Sequence, residues 1–272
     1  MYPIELVGMW KRYGEVTALS GASIRVAPFS ALGLVGPNGA GKSSLLRILC
    51  GMARGDAGTV RLNGADPFSD PATAKRSLGV VPEVPPLFEL LTGAEQLAWA
   101  GRLRGVPDPV LATRVHELST ALDLTTALSR RISGYSKGMR QKLAFAAALV
   151  HDPRVIVLDE PFEGVDVLAV RAMKGILRQF VDAGAAVLLS SHILPLVEDV
   201  CDRFAVLTEG RIVFDDDWEA LARAAARVTA GGVPPGHALE SVLVSLAAPN
   251  HTIHPLQTLA RKDPAHGGSL GV

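Results

Sequence analysis

The chain has 272 residues, 48% of them hydrophobic, and 27 basic residues balance 27 acidic ones. That length can bury one large domain, or a domain with a subdomain, and the absence of a basic surplus argues against a nucleic-acid protein. The two cysteines, Cys50 and Cys201, lie far apart in apolar contexts and read as reduced core residues of a cytosolic protein, not as a disulfide. The N-terminus shows no signal peptide and no apolar run approaches the length of a bilayer span, so a membrane role requires that another component supply the span.

In chain order, residues 4–35 alternate short strand-like runs, Ile4–Val7 and Ser23–Val26, with turn residues such as Gly14 and Gly21. The segment Trp10-Lys-Arg-Tyr13-Gly14 interrupts them and places an aromatic on a turn. The apolar run Ala31-Leu-Gly-Leu-Val35 then leads into Gly36-Pro37-Asn38-Gly39-Ala40-Gly41-Lys42-Ser43-Ser44, followed by a helix over Leu45–Cys50. This G-x-x-x-x-G-K-[ST] pattern stands between a strand and a helix, the context that gives it meaning. A di- or triphosphate can be wrapped by backbone N–H groups only where no Cβ intrudes, which Gly36, Gly39 and Gly41 allow. The helix points its positive end at the phosphates, Lys42 adds a point charge, and the Ser43 hydroxyl is placed to ligate Mg²⁺.

Gly51–Gly58 reads as a loop, Thr59–Leu62 as a strand ending in the turn Asn63-Gly64, and Leu78–Val81 as a short buried strand stopped by Pro82-Glu83. Pro85-Pro86 breaks the chain. A mostly helical insert follows, about residues 84–150, with helical patterns over Thr92–Leu103 and Asp108–Leu122 and a short piece near Thr125–Leu128. Within it Ser136 is the expected N-cap of a helix with Met139, Leu143, Ala147 and Val150 on one face. Val155–Leu158 is continuous and apolar, as in a strand covered on both faces, and presents Asp159 and Glu160 where it emerges. Ligands in parallel α/β sheets sit beyond the strands' carboxyl ends, so Asp159 is placed to hold Mg²⁺ opposite Ser43, and Glu160 to polarise an attacking water. A helix over about 167–181, a strand at Val187–Ser190, and strands at Phe204–Leu207 and Ile212–Phe214 around Glu209-Gly210 complete the ordered pattern. Trp218–Ala225 and Leu239–Leu246 read as helices. From Ala247 the sequence is polar and rich in Pro, Gly and His, which predicts disorder, and His251, His254 and His266 lack metal-site spacing.

Taken together, the segments from about residue 2 to 222 resemble the ATP-binding subunit of an ATP-binding-cassette (ABC) transporter. The resemblance implies an α/β fold: a P-loop NTPase core with a mostly parallel sheet, an N-terminal antiparallel β subdomain and an inserted helical subdomain, followed by a C-terminal extension over 223–272. Residues 36–44 match the Walker A motif and 155–160 the Walker B motif with its catalytic glutamate, Glu160. Tyr13 matches the aromatic that stacks on adenine. Tyr135-Ser136-Lys137-Gly138-Met139 falls where the family carries Leu-Ser-Gly-Gly-Gln, and it looks like a variant common among exporters with separate permeases. Lys137 adds positive charge at that helix N-terminus. In the family this motif serves the ATP held by the opposing subunit, which implies two sandwiched cassettes, homo- or heterodimeric. Asp166 is carried over from the D-loop position and His192 from the switch histidine, which contacts the γ-phosphate.

One position departs from the pattern. After Val80-Val81-Pro82 the family usually has a magnesium-binding glutamine, and here stands Glu83, which can ligate Mg²⁺ but cannot donate a hydrogen bond when ionised. The implied cofactors are ATP and Mg²⁺. The implied partner is an integral-membrane permease on a separate chain, received by the helical insert and the Glu83 loop, with the protein peripheral on the cytoplasmic face. Drug, peptide or polysaccharide export suits the Tyr-Ser-Lys-Gly-Met variant better than import. The alternatives are a soluble cassette ATPase acting on ribosomes or DNA, whose usual second cassette, coiled coils or basic extensions are missing from this sequence, and a regulatory nucleotide-binding subunit, against which Glu160 and His192 count.

Overall fold

The computed structural model describes residues 1–192, 197–217, 219, 220 and 223. Most of the expected helix at Trp218–Ala225, all of that at Leu239–Leu246, and the tail from Ala247 with His251, His254 and His266 lie outside the described residues.

Strands β1 (Ile4–Tyr13) and β2 (Val16–Val26) form a hairpin, and β3 (Ser30–Val35) leads through the glycine loop into helix α1 (Lys42–Leu49). Then come β4 (Ala57–Leu62), α2 (Pro71–Arg76) and β5 (Leu78–Val81). Helices α3 (Gly93–Leu103), α4 (Asp108–Ala121) and α5 (Lys137–Leu149) separate β5 from β6 (Val155–Asp159). Helix α6 (Val167–Asp182) and strands β7 (Ala186–Ser191), β8 (Arg203–Thr208) and β9 (Arg211–Asp217) follow. A three-stranded antiparallel sheet has the order β2-β1-β4, and a six-stranded sheet the order β5-β6-β7-β3-β8-β9, parallel except for β9.

The central strands are apolar because both their faces are covered: every residue of β6 and of β7 is buried. Alternate residues go to opposite cores. Ile156 and Leu158 face a cluster with Phe145 and Leu143 of α5 and Met173 and Leu177 of α6, whereas Val155 and Val157 share the other with Leu45, Ile48 and Leu49 of α1. That second cluster also takes Ile4, Leu6, Leu19 and Ile24 from the antiparallel sheet, so α1 is clasped between the two sheets. The loop that precedes α1 is thereby fixed to both.

Two readings of the sequence are corrected. Trp10–Tyr13 is not a turn but the end of β1, and the turn is confined to Gly14-Glu15. The alternation was obscured because the β1–β2 register slips between Leu6 and Met9, again at Trp10 and again between Lys11 and Arg12, with Gly8 at φ 59°. Helix α2 was not anticipated. Its signal was present, however: Asp70 caps it by accepting a hydrogen bond from the Thr73 N–H (3.2 Å), and Pro71 occupies the first turn, where a missing N–H costs nothing.

Phe145 is fully buried where α5 meets the parallel sheet. Phe145→Ala is expected to lower the unfolding free energy by about 3–5 kcal/mol, as transfer and cavity terms add. Urea unfolding followed by circular dichroism measures it, and a change below about 1 kcal/mol would show that this core closes over the vacated space.

Candidate nucleotide-binding site

The site is built where three neighbouring strands end. Val35 of β3 pairs with Ser191 of β7, and Ser190 of β7 pairs with Asp159 of β6. The glycine loop and the two carboxylates therefore emerge from one edge of the sheet, with β7 between them. An open cleft of about 360 Å³ there is lined by Asn38, Gly39, Gly41, Lys42, Ser43 and Ser44 of the loop and by Glu83, Asp159 and Glu160 opposite, with Val16 and Ala18 at its side.

Helix α1 starts at Gly41, at φ 106°, with no side chain capping its N-terminus and no acid in its first turn. Its leading N–H groups and positive dipole end are left for an anion. By contrast, α2, α3, α5 and α6 are all capped by side chains. The glycines have a further cause beyond access for phosphate. A Cβ on Gly36 would collide with the Leu207 carbonyl oxygen, and one on Gly41 with that of Ala18, so the loop is pressed against the chain's own backbone. Ala40 is buried, and its carbonyl accepts from the Gly210 N–H at 3.0 Å.

Lys42 is buried, and its ammonium donates to the Gly36 carbonyl at 2.7 Å and the Pro37 carbonyl at 3.2 Å. Burial pulls its pKa below the ordinary lysine value, while Glu160, then Asp159, then Glu83 oppose that shift. The cation is thus held at the loop by its carbonyls and sits in the field of the acids across the cleft.

Asp159 is also buried, and one of its oxygens accepts from the Ser190 hydroxyl at 2.5 Å. The same hydroxyl oxygen accepts from the Glu160 N–H at 3.1 Å, so Ser190 fixes both acids at once. Glu160 takes a left-handed backbone conformation, φ 48°, a conformation that a non-glycine residue adopts only when its surroundings enforce it. Its carboxylate lies 2.9 Å from His192 Nδ1. Nothing in the sequence assigned Ser190 a part, since its role arises from strand pairing across distant segments.

Glu83 is exposed at the cleft wall, just beyond β5. Tyr13 is half-exposed at the end of β1, with Lys11 Nζ 5.1 Å from its ring centre, and its strand partner Val16 lines the cleft. Ser136, Gly138 and Asp166 do not line it. The Ser136 hydroxyl caps α5, accepting from the Met139 N–H at 3.2 Å, and the Asp166 carboxylate caps α6, accepting from the Ala169 N–H at 2.9 Å. That hydrogen bond holds the Asp166 carboxyl below the usual range. Gly138 lies so close to the Gly164 carbonyl that a Cβ would come within 2.7 Å of it. The Lys137 ammonium pairs with Glu163 at 2.6 Å. Ile193 and Leu194, which follow the histidine, lie outside the described residues.

Among the described residues no three His, Cys, Asp or Glu side chains form a closed metal cage. The donors present, a serine hydroxyl and carboxylates on opposite walls of the cleft, are the hard oxygens suited to Mg²⁺, which takes few protein ligands and keeps waters and phosphate oxygens.

Comparison with known proteins agrees with this geometry. The "ABC transporter" family model matches residues 19–163. The daunorubicin/doxorubicin resistance ATP-binding protein DrrA of Streptomyces peucetius is 38% identical over 210 residues, covering 77% of this chain and 64% of that protein. The Nod factor export ATP-binding protein I of Paraburkholderia xenovorans (strain LB400) is 38% identical over 218 residues, covering 80% and 72%. The chain thus spans a little under two thirds of the length of DrrA. A solved structure of an ATP-binding subunit of an ABC transporter superposes with a TM-score of 0.81 at 30% identity, covering 89% of this chain and 98% of the other. On its sequence, its fold and the strand–loop–helix cleft at their centre, the chain belongs to the ABC transporter family.

Proposed function

We propose that the chain is the ATP-hydrolysing subunit of an ABC transporter, which binds Mg·ATP between two cassettes and drives a permease carried on a separate chain. The observation that supports this most is the uncapped N-terminus of α1 with Lys42, facing Asp159 and Glu160 across one cleft. Backbone N–H groups of residues 36–44 and the Lys42 ammonium bind the phosphates, leaving the loop carbonyls that Lys42 now occupies. Ser43, Asp159 and Glu83 hold Mg²⁺, which supplies charge neutralisation on the phosphate oxygens. Glu160 accepts the proton of the attacking water, with the Ser190 contact to its backbone and the His192 ring fixing its position. His192 reaches the γ-phosphate, and Lys42 stabilises the charge that develops there. Tyr13, at the end of its strand, stacks on adenine.

Ser136 and Gly138 at the start of α5, together with Asp166, serve the nucleotide of a second cassette, since none of them lines this chain's own cleft. The cassette spans 2–222, with the helical insert at about 84–150 and the extension at 223–272. The names of the two relatives, one for drug resistance and one for Nod factor export, support an exporter. Among the described residues no helix is long and apolar enough to cross a membrane. In the proposed assembly the chain works from the cytoplasmic face, against the permease. No observation favours action on ribosomes or DNA, or a purely regulatory subunit.

Two substitutions test the roles. Glu160→Gln is expected to keep ATP binding while lowering kcat by about 100- to 10,000-fold, the range for loss of a general base. Phosphate release by the chain reconstituted with its permease measures it, and undiminished turnover would remove Glu160 from the chemistry. Glu83→Gln is expected to keep turnover within the same order of magnitude, since an amide oxygen also ligates Mg²⁺. Complete loss would show that the carboxylate itself is required.

A further inference from the structure

The charges that line the nucleotide cleft are unbalanced. Among the described residues of its walls, Lys42 is the one cation and stands against three carboxylates, Glu83, Asp159 and Glu160. The uncapped end of α1 adds roughly half a positive charge. A triphosphate that enters without a metal therefore meets more negative charge than positive.

The three acids are not equivalent. Asp159 is buried and accepts from the Ser190 hydroxyl at 2.5 Å, and the Glu160 carboxylate lies 2.9 Å from the His192 ring. Each of these two has a partner in the protein. The Glu83 carboxylate has neither a hydrogen bond nor an ion pair among the described residues, and it stands exposed just after β5. Its charge is felt across the cleft all the same, since it is one of the acids that favour the charged form of Lys42. In the open cleft, water screens that charge. A nucleotide that fills the cleft displaces the water, and the remaining charges then interact more strongly.

The sign of the interaction with Glu83 depends on what enters. Bare phosphates are repelled. A nucleotide with Mg²⁺ on its phosphate oxygens instead presents a divalent cation, for which carboxylate oxygens are preferred ligands. One side chain thus disfavours the first form and favours the second, and selectivity is the difference between the two. A neutral amide at the same place would discriminate less. Its carbonyl oxygen could still face the metal, while its N–H groups could donate to a phosphate oxygen.

We infer that Glu83 is a specificity residue that makes nucleotide binding depend on the metal: its charge keeps metal-free ATP out of the cleft and admits Mg·ATP. This rests on the reading of the chain as a subunit that binds Mg·ATP, and it names the side chain that selects the form of nucleotide bound.

Isothermal titration calorimetry of the full chain with ATP, once in excess MgCl₂ and once in excess EDTA, gives the two affinities and their ratio. Glu83→Gln is expected to lower that ratio at least about tenfold, through tighter binding of metal-free ATP. Glu83→Asp, which keeps the charge, is expected to hold the ratio within about threefold of that of the unaltered chain. An unchanged ratio in Glu83→Gln would overturn the inference. So would a ratio that falls only because Mg·ATP binds more weakly, or one that falls as far in Glu83→Asp as in Glu83→Gln. In each of those cases the unaltered chain still binds Mg·ATP, and the subunit reading stands. Failure of the unaltered chain to bind Mg·ATP at all would remove that reading, and the inference with it.

Discussion

A lysine confined between its own loop and a wall of acids is the constraint from which the rest of the site follows. Lys42 cannot leave the cleft, because α1 is clasped between two sheets and the loop's glycines are pressed against neighbouring carbonyls. The ammonium donates to the Gly36 and Pro37 carbonyls, while Glu160, Asp159 and Glu83 favour its charged form from across the cleft. A triphosphate would exchange weak carbonyl contacts for charge-assisted ones and place its own negative charge beside an uncapped helix end. The same charge approaches three carboxylates, so in the proposed reaction a divalent cation is needed between them.

The acids are held by means that differ from those of the loop. Asp159 and Glu160 share one serine hydroxyl, and Glu160 is kept in a left-handed conformation that orients its carboxylate toward His192. Strand pairing between β6 and β7 brings Ser190 there, so the catalytic geometry proposed for Glu160 rests on the register of the parallel sheet. A slip of one residue would turn Ser190 to the opposite face and leave a buried aspartate without its donor.

Much of this was legible in the sequence where the information is local. The strand, loop and first helix succeed one another within twenty residues, and their pattern carries its own chemistry in order. Ser136 was legible as a helix-initiating residue for the same reason, since a cap acts on N–H groups only a few residues ahead. What escaped depends on pairs distant in the chain. Ser190 meets Asp159 through a sheet, and Lys137 is paired with Glu163 from the loop after β6. The end of β1 was misread because bulges broke the alternation by which a strand is recognised.

The measurement that tests the account most directly is the affinity of the purified chain for Mg·ATP with and without the Lys42 ammonium. If the lysine and the bare helix end together form the phosphate site, Lys42→Ala should weaken binding by about 10- to 100-fold, the worth of a hydrogen bond to a charged group, while the chain melts as before. Equal affinity of the two proteins for Mg·ATP would contradict the account, because the phosphates would then be held somewhere other than this loop.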